Sequence, residues 1–344
     1  MTAGNLALRL IPGCFLWLTA YLFLPFRVYS DLPISPLEAI AEHPGKEADI
    51  SLFVKRDDLL HPDIQGNKWR KLAPVLAKIK ETHPGGIITF GGPFSNHLQA
   101  VAAAGRVFDI PTFGIVRGKH ADLNNPTLRS ARHDGMMLFP ISKQEYDACK
   151  HRGEELISPE FPQYYILPEG GATDRAVESC TAIAQEIFTQ LKQTKAQFSK
   201  PIFICVPAGT GSTAAGIVDG FATKNGQVLV FPVVNKGFDT QTVLRLLDET
   251  RLRNAAEMVE LERRFSIIRD YEFGGFAKKH QPVLDFVKTF EAQTGILLDP
   301  IYTAKMMFGI FDMLAKGDFP SGSTVVAMHT GGLQGWAGFR ERYG

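Results

Sequence analysis

The sequence is short of the features that would place it in a specialised class. Four cysteines in 344 residues (Cys14, Cys149, Cys180, Cys205) stand far apart, with no CxxC and no histidine at ligand spacing. That argues against a disulfide scaffold and against a metal centre, and the cysteines read as small buried hydrophobes in a reducing compartment. Neither sign of charge dominates: 37 Lys+Arg against 36 Asp+Glu leave +1. No global field therefore draws nucleic acid or an anionic membrane. Internal repeats and low-complexity tracts are missing as well. The apolar run from Gly13 to Leu24 falls short of the roughly 20 residues a membrane span needs.

That run still matters. With Arg9 ahead of it and Val28-Tyr29-Ser30 behind, it fits the apolar region of a signal peptide. The competing reading is an extension over residues 1–30 that is no part of the working protein. Everything after Leu32 reads as a cytoplasmic enzyme, so the run is the one feature that speaks for export or anchoring.

What is present suits a soluble globular chain. Hydrophobic residues make up 45% and charged residues 21%, enough for one large domain or two ordinary ones. Short apolar strands alternate with helical stretches. Strands are predicted at 50–54, 86–90, 112–116, 136–139, 164–167, 201–206, 228–234, 265–268 and 324–328. Between them lie helices beginning near Lys68, Leu98, Pro126, Lys143, Asp174, Ser212, Thr240, Pro282 and Tyr302. Such alternation predicts an α/β fold: two open twisted, mostly parallel sheets covered by helices, with a cleft between two units. In such folds ligands sit beyond the carboxyl ends of the strands, where the distinctive residues fall.

Lys55 to Leu72 reads KRDDLLHPDIQGNKWRKL, the end of a strand, a loop and the start of a helix. Lys68 lies in that helix's first turn, where the helix already carries partial positive charge. Field and burial together favour the neutral amine, the form that condenses with an aldehyde. The bland alternative is a solvated lysine like Lys71, Lys78 and Lys80. Further on, Ala208-Gly209-Thr210-Gly211-Ser212-Thr213 leaves a strand and opens a helix, which makes an anion site of backbone N–H groups with hydroxyl donors. A dinucleotide would need an acid about 20 residues on, and Asn235-Lys236 supply none. A phosphate is favoured over a plain Gly-rich connector.

Ser95-Asn96-His97 sits at another strand-to-helix turn. Ser95 is either a helix cap or a substrate contact, and His97 alone is not interpretable. Leu298 to Lys305 puts polar groups at a helix start, and His329-Thr330-Gly331-Gly332 follows the last strand. A helix-start lysine, a phosphate cradle and these polar turns together describe a site for pyridoxal phosphate.

The same residues carry a resemblance. KRDD and GNKWRKL (55–72), FGGPFSNH (90–97), AGTGSTAAG (208–216), LLDPIYTAKMM (297–307) and HTGG (329–332) resemble, in order, the 1-aminocyclopropane-1-carboxylate deaminase/D-cysteine desulfhydrase family. That family is similar to tryptophan synthase β, the fold type II pyridoxal-phosphate enzymes. The resemblance implies Lys68 as the lysine that holds the cofactor, Asn96 on its 3-hydroxyl oxygen, and Ala208 to Thr213 on its phosphate. It implies Ser95 and Tyr302 as active-site residues, Thr303 as a further cofactor contact, and Ser95, Asn96, His97 and Thr330 as substrate contacts. It also implies a small domain (72–166) inserted into a large one (31–71 and 167–344), a cofactor in the interdomain cleft, and a homodimer.

Two positions separate the activities within the family. Tyr302-Thr303 and His329-Thr330 resemble the desulfhydrases, where the deaminases have Tyr-Glu and a Leu after the His. Phe276 stands where a second family tyrosine would align. The expected function is β-elimination from a small amino acid, D-cysteine to pyruvate, ammonia and sulfide. The alternatives are 1-aminocyclopropane-1-carboxylate deaminase and a non-catalytic pyridoxal-phosphate-binding relative.

Overall fold

The structure is a computed structural model and describes residues 33–83, 85–150, 152–194, 199–221, 225–234 and 237–344. The apolar run 13–24 and the Asn235-Lys236 tip lie outside the described residues. The chain forms two compact units. One holds Leu72–Gly171, the other Pro33–Lys71 together with Ala172–Gly344.

The larger unit is built on a six-stranded sheet. Its strands are β1 (Leu37–Ile40), β2 (Ser51–Lys55), β7 (Ile202–Ala208), β8 (Gly226–Pro232), β9 (Phe265–Ile267) and β10 (Thr324–Met328). The order is β1-β2-β10-β7-β8-β9, parallel throughout except for the antiparallel β1–β2 pair at one edge. The central strands β7 and β10 are apolar along nearly their whole length, as strands covered on both faces must be. One face packs helices Asp174–Leu191, Ser212–Gly220 and Thr240–Thr250 around Ile204, Val206, Phe221 and Val326. The other packs Gln281–Thr294 and Thr303–Lys316 around Leu52, Val54, Phe231 and Phe290. Because β2, β10 and β7 run parallel, Lys55, Met328 and Ala208 end at the same edge.

The smaller unit carries β3 (Gly86–Gly91), β4 (Thr112–Arg117), β5 (Met137–Ile141) and β6 (Tyr164–Leu167) in the order β5-β4-β3-β6, all parallel. Its helices start on the caps their sequences offer: Ser95 for Asn96–Phe108, Asn125 with Pro126 behind it, and a Ser142–Glu145 capping box. β6 hydrogen-bonds to β3, and the turn Glu169–Gly171 packs on β3 as well.

Among the elements the sequence reading missed, three illustrate why. β1 lies in a mixed stretch with one buried residue, Ile40. Helix Ala255–Glu262 buries only Leu261, and the helix Gly335–Tyr343 opens on a glycine. None of the three has the apolar periodicity on which prediction depends. Cys149, Cys180 and Cys205 are buried free thiols. No helix among the described residues is long and apolar enough to cross a membrane.

Candidate active site

The charges at the end of β2 turn inward. Lys55 is fully buried, and its ammonium donates to the Ser35 carbonyl (2.7 Å) and Gln190 Oε1 (2.8 Å) and pairs with Glu186 (2.8 Å). Arg70 is also fully buried. Its guanidinium grips Asp57 through Nε (2.7 Å) and Nη2 (2.8 Å), and Glu186 through Nη1 (2.7 Å) and Nη2 (2.9 Å). Ser35 Oγ closes the network on Asp57 at 2.7 Å. Burial works against the Glu186 charge, but Arg70 and Lys55 outweigh it and hold its pKa below the ordinary carboxylate value. These six residues fix the exit of β2 and the first turn of helix Asn67–Thr82 to the helix Asp174–Leu191.

Lys68 is held in place from both sides. Gly66 (φ +63°) lies so close to the Thr330 carbonyl that a Cβ there would sit 1.9 Å from its oxygen, a position open only to glycine. The Asn67 amide N–H donates to the same carbonyl at 3.2 Å. Asn67 Nδ2 donates to Thr213 Oγ1 at 2.9 Å. On the other side Trp69 is buried, its ring 4.6 Å from that of His61. Lys68 itself is half-buried at the second position of the helix.

Lys71 is not the solvated lysine its neighbours suggested. It is 4% exposed, and its Nζ donates to Ser212 Oγ at 2.7 Å. Burial lowers its pKa, opposed by Cys180 nearby, and no carboxylate pairs with it among the described residues. A buried ammonium beside a Gly-rich turn fits an anion as its counter-charge.

That turn joins Ala208, the last residue of β7, to helix Ser212–Gly220. Ser212 and Thr213 accept bonds from Lys71 and Asn67, so each hydroxyl keeps its own proton to donate. A Cβ added at Gly209 would lie 3.2 Å from the Tyr302 hydroxyl. The turn is thus left bare under the tyrosine. Tyr302 is oriented by Asp299, a buried carboxylate that accepts the N–H of Ile301 (2.9 Å), Tyr302 (3.0 Å) and Thr303 (2.6 Å). Burial raises the Asp299 pKa against those bonds.

Thr303 is fully buried. Its hydroxyl donates to Asp299 Oδ1 (2.8 Å) and accepts the Asp299 N–H (2.8 Å). It can offer a further partner only a lone pair. His329 accepts the Gly331 N–H at Nδ1 (3.2 Å), and its Nε2 meets the Leu297 carbonyl at 2.8 Å. The imidazole shapes the turn that presents Thr330, which is 7% exposed.

In the smaller unit Ser95 is the cap of helix Asn96–Phe108, its Oγ accepting the Leu98 N–H at 3.3 Å. That bond leaves the serine proton unused, so a cap and a substrate contact are compatible. Asn96 is half-buried at the helix start. His97 is 3% exposed, with Nε2 2.9 Å from Thr89 Oγ1, which itself donates to the Leu167 carbonyl. The ring serves the core of that unit.

Within the larger unit the structure brings together the helix start at Lys68, the 208–213 turn, Tyr302, Thr303 and Thr330. Sequence reasoning missed Lys71 and Asp299. Lys71 falls one helical turn after Lys68, on the same helix face, and that spacing was the available signal.

A helix-start lysine fastened to an anion-binding turn, beyond the carboxyl ends of parallel strands, defines an α/β enzyme for a phosphorylated aldehyde cofactor. The donors fit it: Lys71 and the 208–213 turn for the phosphate, Lys68 for the aldehyde. The chain belongs to the pyridoxal-phosphate-dependent enzymes, whose family profile matches residues 27–331. It is similar to the mitochondrial bifunctional D-cysteine desulfhydrase/1-aminocyclopropane-1-carboxylate deaminase of Arabidopsis thaliana. The two are 29% identical over 309 residues, which cover 85% of this chain and 75% of that one. It is also 28% identical over 336 residues to the 1-aminocyclopropane-1-carboxylate deaminase of Ralstonia pickettii, covering 89% and 93% of the two chains. The crystal structure of a deaminase homologue superposes with a TM-score of 0.72 at 24% identity, covering 90% of this chain and 93% of the other. The family, fold and cofactor expected from the sequence are thereby borne out.

Proposed function

We propose that this enzyme eliminates the β-substituent of a small amino acid, D-cysteine or a close analogue. With water, D-cysteine would give pyruvate, ammonia and hydrogen sulfide. The observation that carries the reading is the setting of Tyr302. Its chain neighbour Thr303 has its proton tied to Asp299, and the ring packed on it is Phe276, 5.9 Å away edge to face. Neither of these two neighbours has a proton to give a departing carbon. A thiolate leaves without such help.

Pyridoxal phosphate, when bound, supplies an electron sink for the carbanion at Cα. The chain's own groups do the rest of the work in this reading. Lys68 holds the cofactor and takes the Cα proton. Lys71 and Ala208 to Thr213 would hold the phosphate, and the family resemblance would give Asn96 the 3-hydroxyl oxygen. Ser95, with its unused proton, and Thr330 contact the substrate. Tyr302 acts at the reacting end. A homodimer accompanies the reading on the strength of the family resemblance, and sedimentation tests it.

Deamination of 1-aminocyclopropane-1-carboxylate is the second reading. It is favoured by the Tyr302 hydroxyl over Gly209. Steady-state assays on the purified enzyme separate the two. Equal amounts of pyruvate and sulfide from D-cysteine support desulfhydration, and a higher kcat/KM for 2-oxobutanoate from the cyclopropane overturns it. Bound cofactor with neither product would identify a non-catalytic relative.

A further inference from the structure

Lys305 lies in the first turn of helix Thr303–Lys316 and is 2% exposed. Neither the helix field nor burial favours an ammonium there. Its Nζ donates to two backbone carbonyls, Glu272 at 2.8 Å and Gly275 at 2.6 Å. Burial pushes its pKa down to about 8, although Asp299 and Glu272 oppose the shift.

The carbonyls belong to a loop with an unusual backbone. Phe273 (φ 47°), Gly274 (79°), Gly275 (100°) and Ala277 (52°) are all left-handed. Two of them carry side chains, which that conformation penalises. Such a loop persists only where its surroundings over-determine it. Lys305 grips its middle, Tyr343 donates its hydroxyl to the Ala277 carbonyl (2.8 Å), and Phe273 stacks on His280 (4.2 Å). The Arg269–Glu272 ion pair (2.7 Å) closes the entry. Held in this way, the loop projects Phe276, 40% exposed, onto the edge of Tyr302.

We propose that Lys305 is a positioning residue for Tyr302: its buried ammonium clamps the left-handed loop that sets Phe276 against the tyrosine ring. The clamp explains a lysine kept at the cost of burial. It also explains an exposed phenylalanine on a loop that would otherwise open. The proposal rests on the reading that Tyr302 belongs to the active centre, and two of its readouts do not.

The test compares the holoenzyme with Lys305→Met and Phe276→Ala. Trypsin should cut after the exposed Lys278 and Lys279 about tenfold faster in Lys305→Met, while cutting after exposed Arg251, the reference site, stays unchanged. Nitration of Tyr302 by tetranitromethane, read by peptide mapping, should rise in both variants, because each uncovers the ring. Adding Ala277→Gly to Lys305→Met should restore protection, since glycine relieves the left-handed penalty. With D-cysteine, kcat should fall about tenfold in both variants at unchanged cofactor content.

An unchanged loop cleavage overturns the clamp. Faster loop cleavage with unchanged Tyr302 nitration overturns the link to the tyrosine. If Lys305→Met also speeds cleavage after Arg251, the variant has lost its fold, and Phe276→Ala then decides: unchanged nitration and unchanged kcat overturn the proposal. An enzyme inactive on D-cysteine removes the proposed substrate, and cleavage and nitration still judge the clamp.

Discussion

Asn67 Nδ2 donates to Thr213 Oγ1 at 2.9 Å, so the residue ahead of Lys68 is fastened to the turn that follows β7. One turn later Lys71 repeats the link through Ser212 at 2.7 Å. The amine and the anion site are therefore spaced by two side-chain bonds rather than by loop conformation alone. Rigid spacing of this kind is what a cofactor held at both ends requires.

Lys68 is the lysine expected to hold the cofactor. Borohydride reduction of the loaded enzyme, then peptide mapping, should mark it. The rival lysines are Lys55, paired with Glu186, Lys71, bonded to Ser212, and Lys305, bonded to two carbonyls. Lys68→Ala should lose the visible absorption band while keeping the fold by circular dichroism. A mark on any of the other three would reassign the role.

Gly211→Asp should weaken cofactor binding at least about tenfold, roughly 1.4 kcal/mol. The new carboxylate would repel the phosphate that this turn is proposed to hold. The backbone there is left-handed at φ +93°, and the added Cβ would meet Phe238 at 3.1 Å. Equilibrium dialysis of the apoenzyme against pyridoxal phosphate measures the change, and unaltered affinity would place the phosphate elsewhere.

Arg70→Met should destabilise the protein by about 3–5 kcal/mol, because Asp57 and Glu186 are left buried without their partner. Chemical denaturation reads it. The same network sets an acid limit. Glu186 has its pKa depressed in the folded state by Arg70 and Lys55 acting against burial. Its contribution is present above the ordinary carboxylate pKa and is lost as pH falls through the lowered one. The parent should lose stability steeply below about pH 4.5, and Arg70→Met should show a shallower loss.

Much of the fold was legible because its strands are short apolar runs between glycines and caps. The strands at 164–167 and 324–328 and the helix at 126–133 fall where the sequence placed them. The KRDD segment was legible as a strand end but not in its chemistry. Lys55, Asp57 and Arg70 look like surface charge in the sequence. Their partners Ser35, Glu186 and Gln190 are far away in the chain, and only the fold brings them together. Lys71 misled for the same reason, since its partner Ser212 is remote. His97 was ambiguous in the sequence, because its partner Thr89 is reached only across the strand-to-helix turn.

Substrate choice offers the sharpest test, and the structure changes how it should be made. Thr303→Glu would imitate the deaminases in sequence, but Thr303 is fully buried and exchanges two hydrogen bonds with Asp299. A glutamate there would lose both bonds and set a second carboxylate beside the first, a cost of several kcal/mol. That variant should misfold or shed cofactor, and its inactivity would say nothing about specificity. Phe276 and Thr330 are the better levers. Phe276 is 40% exposed, so Phe276→Tyr places a hydroxyl near Tyr302 without burying it. Thr330→Leu then supplies the apolar contact of the deaminases. The parent should release sulfide and pyruvate from D-cysteine and convert the cyclopropane poorly. Phe276→Tyr with Thr330→Leu should raise kcat/KM for 2-oxobutanoate formation about tenfold or more, the lower range expected of an added proton donor. A parent that already prefers the cyclopropane would show that these side chains do not decide. An unchanged double variant would show that the proton comes from another group.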